Sequence, residues 1–276
     1  FGVTSMYDAM FLYSGNLNVP QNLRTLTDTL FVENARQGLN RYGYTHHPYI
    51  STRKVEGDIH INQGSISARS SASNYALTNT ISSLIEIRGV GLGKTSFKRR
   101  IHASFLIAIS YLRTASKHLN LVKEEIERAT AQANTVVIES KRGIVKDSVQ
   151  FIDINTNEYV KFEMIVRDAW KAKATRARSR PKAYIVAANQ TEILEKLKIL
   201  GLEIQYLNED KNYEVEVYKI TAYTKKPIRY EKMKLQTVEV ELQKETILFP
   251  KGTAIIMMNQ RRANIVAEVL EPEAPN

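Results

Sequence analysis

Thr80-Ile81-Ser82-Ser83-Leu84-Ile85-Glu86-Ile87, running straight into Arg88 and Gly89, is a short apolar and β-branched run closed by a turn signal. A run of this length and composition predicts a buried strand. It holds one carboxylate, Glu86. An ionised carboxylate among apolar neighbours is costly unless it is paired or used. Two readings follow: a structural ion pair, with Arg88 the nearest candidate, or a base that deprotonates a water in hydrolysis. The residues alone leave both open.

Outward from this strand the pattern changes several times. Upstream, residues 5–14 and 21–38 read as helices. The second has Leu23, Leu26, Leu30 and Ala35 at helical spacing, Pro20 where a first-turn proline is tolerated, and Gly38 as its stop. Residues 42–74 turn to Gly, Ser, Asn, His and Pro without a sustained period, which predicts a long loop region with one short strand. Downstream, 89–99 is a predicted loop. Ile101, Phe105, Ala108, Leu112, Leu119, Val122 and Ile126 predict one long helix over 101–130, closing a first domain of residues 1–133. The second domain, 134–276, is predicted to be β-rich, with strands at 135–139, 149–154, 159–166, 183–187, 202–207, 213–223, 235–246 and 253–258. A helix over 191–200 ending at Gly201 makes a βαβ-like unit with its flanking strands, and 260–270 is a short last helix.

Composition narrows the function classes. The 276 residues hold no cysteine, so disulfides and thiolate metal sites are excluded. No stretch approaches the roughly 18 consecutive apolar residues that span a bilayer. The chain starts at Phe1 without a signal-peptide pattern, which predicts a piece of a longer protein. The net charge of +10 is mostly local: residues 161–182 carry eight Lys or Arg against Glu163 and Asp168, with only Trp170 and Tyr184 as nearby aromatics. A nucleic-acid groove needs stacking aromatics and a reading motif beside its charge, so 171–182 is predicted to be a solvated, extended connector. The glycines at 89, 91 and 93 do not make a phosphate loop. The first position of that motif falls on Arg88, and the dinucleotide fingerprint fails because Gly93 comes one residue too early. They read as glycines that turn the backbone sharply.

The segment of residues 83–100, Ser83-Leu84-Ile85-Glu86-Ile87-Arg88-Gly89-Val90-Gly91-Leu92-Gly93-Lys94-Thr95-Ser96-Phe97-Lys98-Arg99-Arg100, resembles the stretch around the general-base glutamate of zinc carboxypeptidases of the carboxypeptidase A-like kind. The branch in question has an apolar run, Glu, any residue, Arg-Gly-Val-Gly and then a basic pair. Asn18-Val19-Pro20 with Leu23, Leu26 and Leu30 looks like the helical stretch after that family's third zinc ligand. Arg180-Pro181-Lys182-Ala183-Tyr184, Phe249-Pro250-Lys251-Gly252 and Leu270-Glu271-Pro272-Glu273 look like landmarks of its C-terminal domain.

The resemblance implies an α/β fold: the C-terminal half of a mixed-sheet zinc-carboxypeptidase domain, followed by a β-rich α+β accessory domain. It implies Glu86 as general base and proton shuttle, on a central strand with its carboxylate facing an open cleft. Arg88, His47, Tyr49 and Tyr75 are the expected substrate-binding residues. The two tyrosines stand in the loop region where the family has a substrate-covering tyrosine, at whose usual position this chain has Gly64; His46 and His60 share that region. Zinc is the implied cofactor. The family's His-x-x-Glu pair and later His have no match among His46, His47, His60, His102 and His118, so the ligands are expected upstream and this fragment alone is expected to be inactive. The implied function is hydrolysis of C-terminal peptide bonds in a peptide or protein substrate, in the periplasm or outside the cell, with no nucleic-acid partner and no membrane span. The alternatives are a non-catalytic binding module derived from the fold, or a related zinc deacylase of N-acyl amino acids.

Overall fold

β1 (Val3–Thr4) and β2 (Ala9–Tyr13) open the chain, and β2 stands where the pattern predicts a helix over 5–14. Ala9, Phe11, Leu12 and Tyr13 are all buried, and a run that is apolar on both sides has no period to separate strand from helix. The computed structural model describes residues 3–4, 7–131, 134–230 and 233–275; residues 5 and 6 of the expected helix lie outside them. The chain divides into two units, Phe1–Gln132 with Ser140–Lys173, and Ala133–Glu139 with Ala174–Asn276. Residues 140–173, which the sequence assigns to the second domain, thus group with the first unit.

In the first unit Pro20 caps a continuous helical segment. α1 (Gln21–Leu26) passes through a π-helical stretch at Thr27–Val32 into α2 (Glu33–Asn40), which runs past Gly38. The expected loop region holds three strands instead of one: β3 (His46–Pro48), β4 (Ile50–Val55) and β5 (Asp58–Gln63), the last two an antiparallel hairpin about Glu56 and Gly57. Its polar residues are surface residues of a solvated hairpin, so no apolar alternation betrays it. After α3 (Ser71–Ala76) comes β6 (Ser83–Ile87). The predicted long helix is two, α4 (Phe97–Lys117) and α5 (Leu119–Ala131), broken where His118 leaves helical geometry.

Two sheets result. β2 is the middle of a three-stranded sheet, parallel to β3 on one side and antiparallel to β6 on the other. Its inner face, Ala9, Phe11 and Tyr13 with Ile85 and Ile87, packs on Val32, Ala35 and Leu39 and on Ala103, Leu106 and Ile107 of α4. Each large side chain buried there contributes about 1.5–3 kcal/mol. A five-stranded sheet has the order β1-β7-β8-β5-β4, with β7 (Thr135–Asp153) and β8 (Tyr159–Ser179) far longer than the separate strands expected at 135–139, 149–154 and 159–166.

The second unit contains a small sheet of order β10-β13-β9, formed by β9 (Ala183–Val186), β10 (Gln205–Tyr206) and β13 (Ala254–Met257). α6 (Thr191–Ile199) joins β9 to β10 and stops at Gly201, whose φ of +80° suits glycine. Because β13 is antiparallel to both, β9 and β10 run parallel with a strand between them, so the expected βαβ unit is a split one. β11 (Lys211–Tyr230) and β12 (Met233–Phe249) form a two-stranded hairpin of their own. α7 (Ala263–Leu270) closes the chain, buried along Asn264, Ile265 and Val266. No helix among the described residues is long and apolar enough to cross a membrane.

Candidate active-site strand

β6 is an edge strand of its sheet, pairing with β2 alone among the described residues, so it is neither the buried nor the central strand expected. Its burial alternates. Ile85 and Ile87 pack inward, while Leu84 and Glu86 are exposed on the other face. Strand alternation therefore removes the cost that singled Glu86 out: its carboxylate is in water and needs no ion-pair partner.

Register sets its neighbours. Met10 of β2 is paired with Glu86 on one side and with His47 of β3 on the other, which puts Glu86, Met10 and His47 in one row on the outer face of the sheet. Two strand spacings separate the glutamate from the histidine, roughly 10 Å between Cα atoms. His47 is half-buried. Its ring stacks on Tyr7 at 4.3 Å between centroids, and its Nδ1 lies 2.7 Å from the Pro48 carbonyl oxygen. Burial holds the imidazole below its ordinary pKa, with the Arg36 charge adding to the effect. His46 points to the opposite face, edge-on to Phe11, and burial lowers its pKa also.

The other expected residues are placed less closely. Arg88 is exposed just beyond β6, and its backbone N–H donates to the Asp8 carbonyl at 2.9 Å. Tyr49 continues the line of β3, its N–H donating to Phe11 O at 2.8 Å. Tyr75 lies on α3, which contacts β2 and β6, with its side chain largely in solvent. His60 is buried on β5, in the other sheet, across from Arg53.

The residues that the sequence does not single out are Asp8 and Arg99. Arg99 grips Asp8 with two bonds, Nε to Oδ1 and Nη2 to Oδ2, both 2.6 Å. Asp8 Oδ2 also accepts from the Thr45 N–H at 2.8 Å and the Thr45 hydroxyl at 3.0 Å. Burial pushes the Asp8 carboxyl up, but these bonds outweigh it and hold it below the usual carboxylate range. One side chain thereby ties the start of β2, the approach to β3 and α4 together, while its carbonyl holds the residue after β6. The signal was available: Asp8 borders the apolar run 9–13, and Arg99 belongs to the basic pair of the motif.

The glycines of the motif form the corner between β6 and α4. Gly89 has φ of +122°, and a Cβ there would lie 2.6 Å from Ser96 Oγ, which donates to the Gly89 carbonyl at 2.7 Å. The stretch Val90–Ser96 is a 3₁₀ segment instead of a loop.

The implied zinc can be tested against these side chains. Among the described residues no three His, Asp or Glu groups converge on a point that could hold a metal, and the two histidines nearest Glu86 face opposite sides of the sheet. The residues present do not fit a zinc ion by themselves.

No family model matches this chain, and no solved structure does. Among curated proteins it is similar to a carboxypeptidase 2 of Trichophyton rubrum, 25% identical over 271 residues, and to one of Trichophyton tonsurans, 26% over 273 residues. A probable carboxypeptidase 2 of Arthroderma benhamiae is 25% identical over 269 residues. Each match covers 96% of this chain and 50–51% of the relative. The chain spans about half the length of the curated relatives it matches.

Proposed function

We propose that this chain is part of a peptidase of the carboxypeptidase type, in which Glu86 is the general base. The observation that carries the proposal is the placement of Glu86: solvent-exposed on the sheet face opposite the helical core, in one row with His47, at the head of a glycine corner that Ser96 locks. The similarity to proteins named carboxypeptidase 2 over nearly the whole chain supports it. Such a protein would work outside the cytoplasm on the C-terminal end of a peptide.

In hydrolysis Glu86 takes a proton from the attacking water, the water oxygen bonds to the scissile carbonyl carbon, and the same carboxyl returns the proton to the leaving amine as the C–N bond breaks. His47, in that row, and Arg88, just beyond β6, would bind the substrate, with Tyr49 and Tyr75 at the margins. Zinc, in this proposal, is held by side chains outside these 276 residues.

The test is Glu86→Gln in the full-length protein, assayed on an N-blocked dipeptide with a free C-terminal carboxylate. Turnover should fall by about 10²- to 10⁴-fold, the usual worth of a positioned base, with bound zinc unchanged by elemental analysis. Unchanged turnover removes Glu86 as the base. Loss of zinc makes it a ligand.

A further inference from the structure

β5 lies between β8 and β4 in the five-stranded sheet, and its two faces hold different things. On one, Ile61 joins Val149, Val166 and Ile50 in an apolar cluster. His60 and Asn62, on either side of Ile61 in the strand, point to the other. Register brings cations to them: Arg53 of β4 is paired with His60, and Arg167 of β8 with Asn62. Paired residues stand about 5 Å apart and alternate residues about 6.6 Å, so these four side chains share one small patch. Arg142 of β7 reaches the same place. Its Nη1 donates to the carbonyls of Gln63 at 2.8 Å, Gly64 at 3.0 Å and Arg167 at 3.2 Å, which pins the guanidinium against the end of β5. Burial holds Arg142 below its ordinary pKa; the Arg167 and Arg53 charges push the same way and Asp168 opposes them.

The patch is short of partners. Among the described residues, five buried polar side-chain atoms have no hydrogen-bond partner. Two of them, Asp28 Oδ1 and Arg36 Nε, belong to one ion pair, in which Asp28 Oδ1 lies 3.5 Å from Arg36 Nη1. The other three are His60 Nδ1, Asn62 Oδ1 and Arg167 Nε, all on this face. His60 is only 8% exposed, and a buried polar group without a partner is rare in a folded protein. Buried water would supply hydrogen bonds but leave three guanidinium charges crowded around the one carboxylate of Asp168. An oxyanion meets both needs. His60 Nδ1–H and Arg167 Nε–H can donate to it, and the Asn62 amide can donate through its NH₂ or accept from a protonated oxygen. Three positive charges against one negative leave two to neutralise, which a phosphate dianion does and a single carboxylate does not.

We propose that His60, Asn62, Arg53, Arg142 and Arg167 form a binding site for a phosphate group, free or carried on an ester. Inorganic phosphate should raise the thermal unfolding midpoint of the full-length protein, while sodium chloride at matched ionic strength should not. By calorimetric titration, Arg167→Gln should weaken phosphate binding about tenfold and Arg53→Gln, at the exposed rim, about threefold. Arg53 stands in solvent, so its variant keeps the native fold. Without phosphate, Arg167→Gln should unfold no earlier than wild type, because it removes a crowded charge whose Nε holds nothing. A residue serving the fold alone would lose stability with or without the ion. Phenyl phosphate separates the two sources: binding tighter than that of inorganic phosphate identifies an ester, weaker binding the free ion. Acetate bound as tightly as phosphate, equal stabilisation by chloride, or phosphate binding unaltered in both variants would each overturn the proposal.

Discussion

Both units hold a carboxylate against an arginine, and they do it in opposite ways. In the first, Asp8 meets Arg99, whose side chain is 54% exposed, and backbone and hydroxyl donors of Thr45 share the load. In the second, Glu271 and Glu273 are almost wholly buried and share Arg178, itself only 16% exposed. Arg178 Nη1 donates to Glu271 at 2.8 Å while Nη2 holds Glu273, Arg176 holds Glu273 as well, and the Tyr184 and Tyr218 hydroxyls donate to Glu271. Burial, reinforced by the bond to Glu271, pushes both tyrosines well above their ordinary pKa. A wet pair is one contribution among several. A dry pair is a commitment, because removing one partner strands a charge where water cannot reach.

The largest expected effect follows from that asymmetry. Arg178→Ala leaves Glu271 buried with only two hydroxyl donors, and should destabilise the second unit by about 3–5 kcal/mol, the usual cost of breaking a buried pair. Urea unfolding with hydrogen exchange read on α7 and β9 checks it. Arg178→Lys should recover only part of the loss, because a point charge cannot meet two carboxylates as a guanidinium fork does. Arg99→Ala should cost less, about 1–2 kcal/mol, since Thr45 still satisfies Asp8 and water reaches the vacated side. A loss at Arg99 equal to that at Arg178 would erase the distinction between the two pairs.

These clusters also show what the sequence could and could not reveal. The strand at 83–87, α6 with Gly201, the corner glycines and the final helix were legible because their signals are local. The helix expected over 5–14 was not strand-like to a periodicity test, since β2 is apolar on both faces, and the hairpin of β4 and β5 was hidden by its polar surface. The basic stretch 171–182 is the instructive miss. It is extended and largely exposed as predicted, but 171–179 belong to β8 instead of a connector, and Arg178 and Arg180 are half-buried; the partners of Arg176, Arg178 and Arg180, which are Glu271, Glu273 and Asn264, lie more than 80 residues away in sequence. Two landmarks, 180–184 and 270–273, proved to be one cluster, joined by Tyr184 and Glu271. At the candidate site the sequence supplied Glu86 and His47 but not their shared row, which depends on β2 lying between them.

The smallest expected effect separates the units by pH. All five histidines lie before residue 119, so only the first unit can titrate through imidazole. His46 and His47 are both held below their ordinary pKa, chiefly by burial; Arg36 presses on each, Glu33 opposes it at His46 and Asp147 at His47. A base with a depressed folded pKa binds its proton more readily when unfolded. Its contribution is therefore complete above the unfolded value of about 6.5 and is lost as pH falls through the folded one. Asp8, also depressed, adds a second loss only below about 3.9, the unfolded value for aspartate. Between neutrality and mild acid, the protection of β2 and β3 amides from hydrogen exchange, taken relative to the intrinsic rate at each pH, should therefore fall while that of β9 and α7 stays unchanged. His47→Gln should blunt the response of β3 without removing that of His46. Equal loss of protection in both units would show that the acid response arises from something other than these two rings.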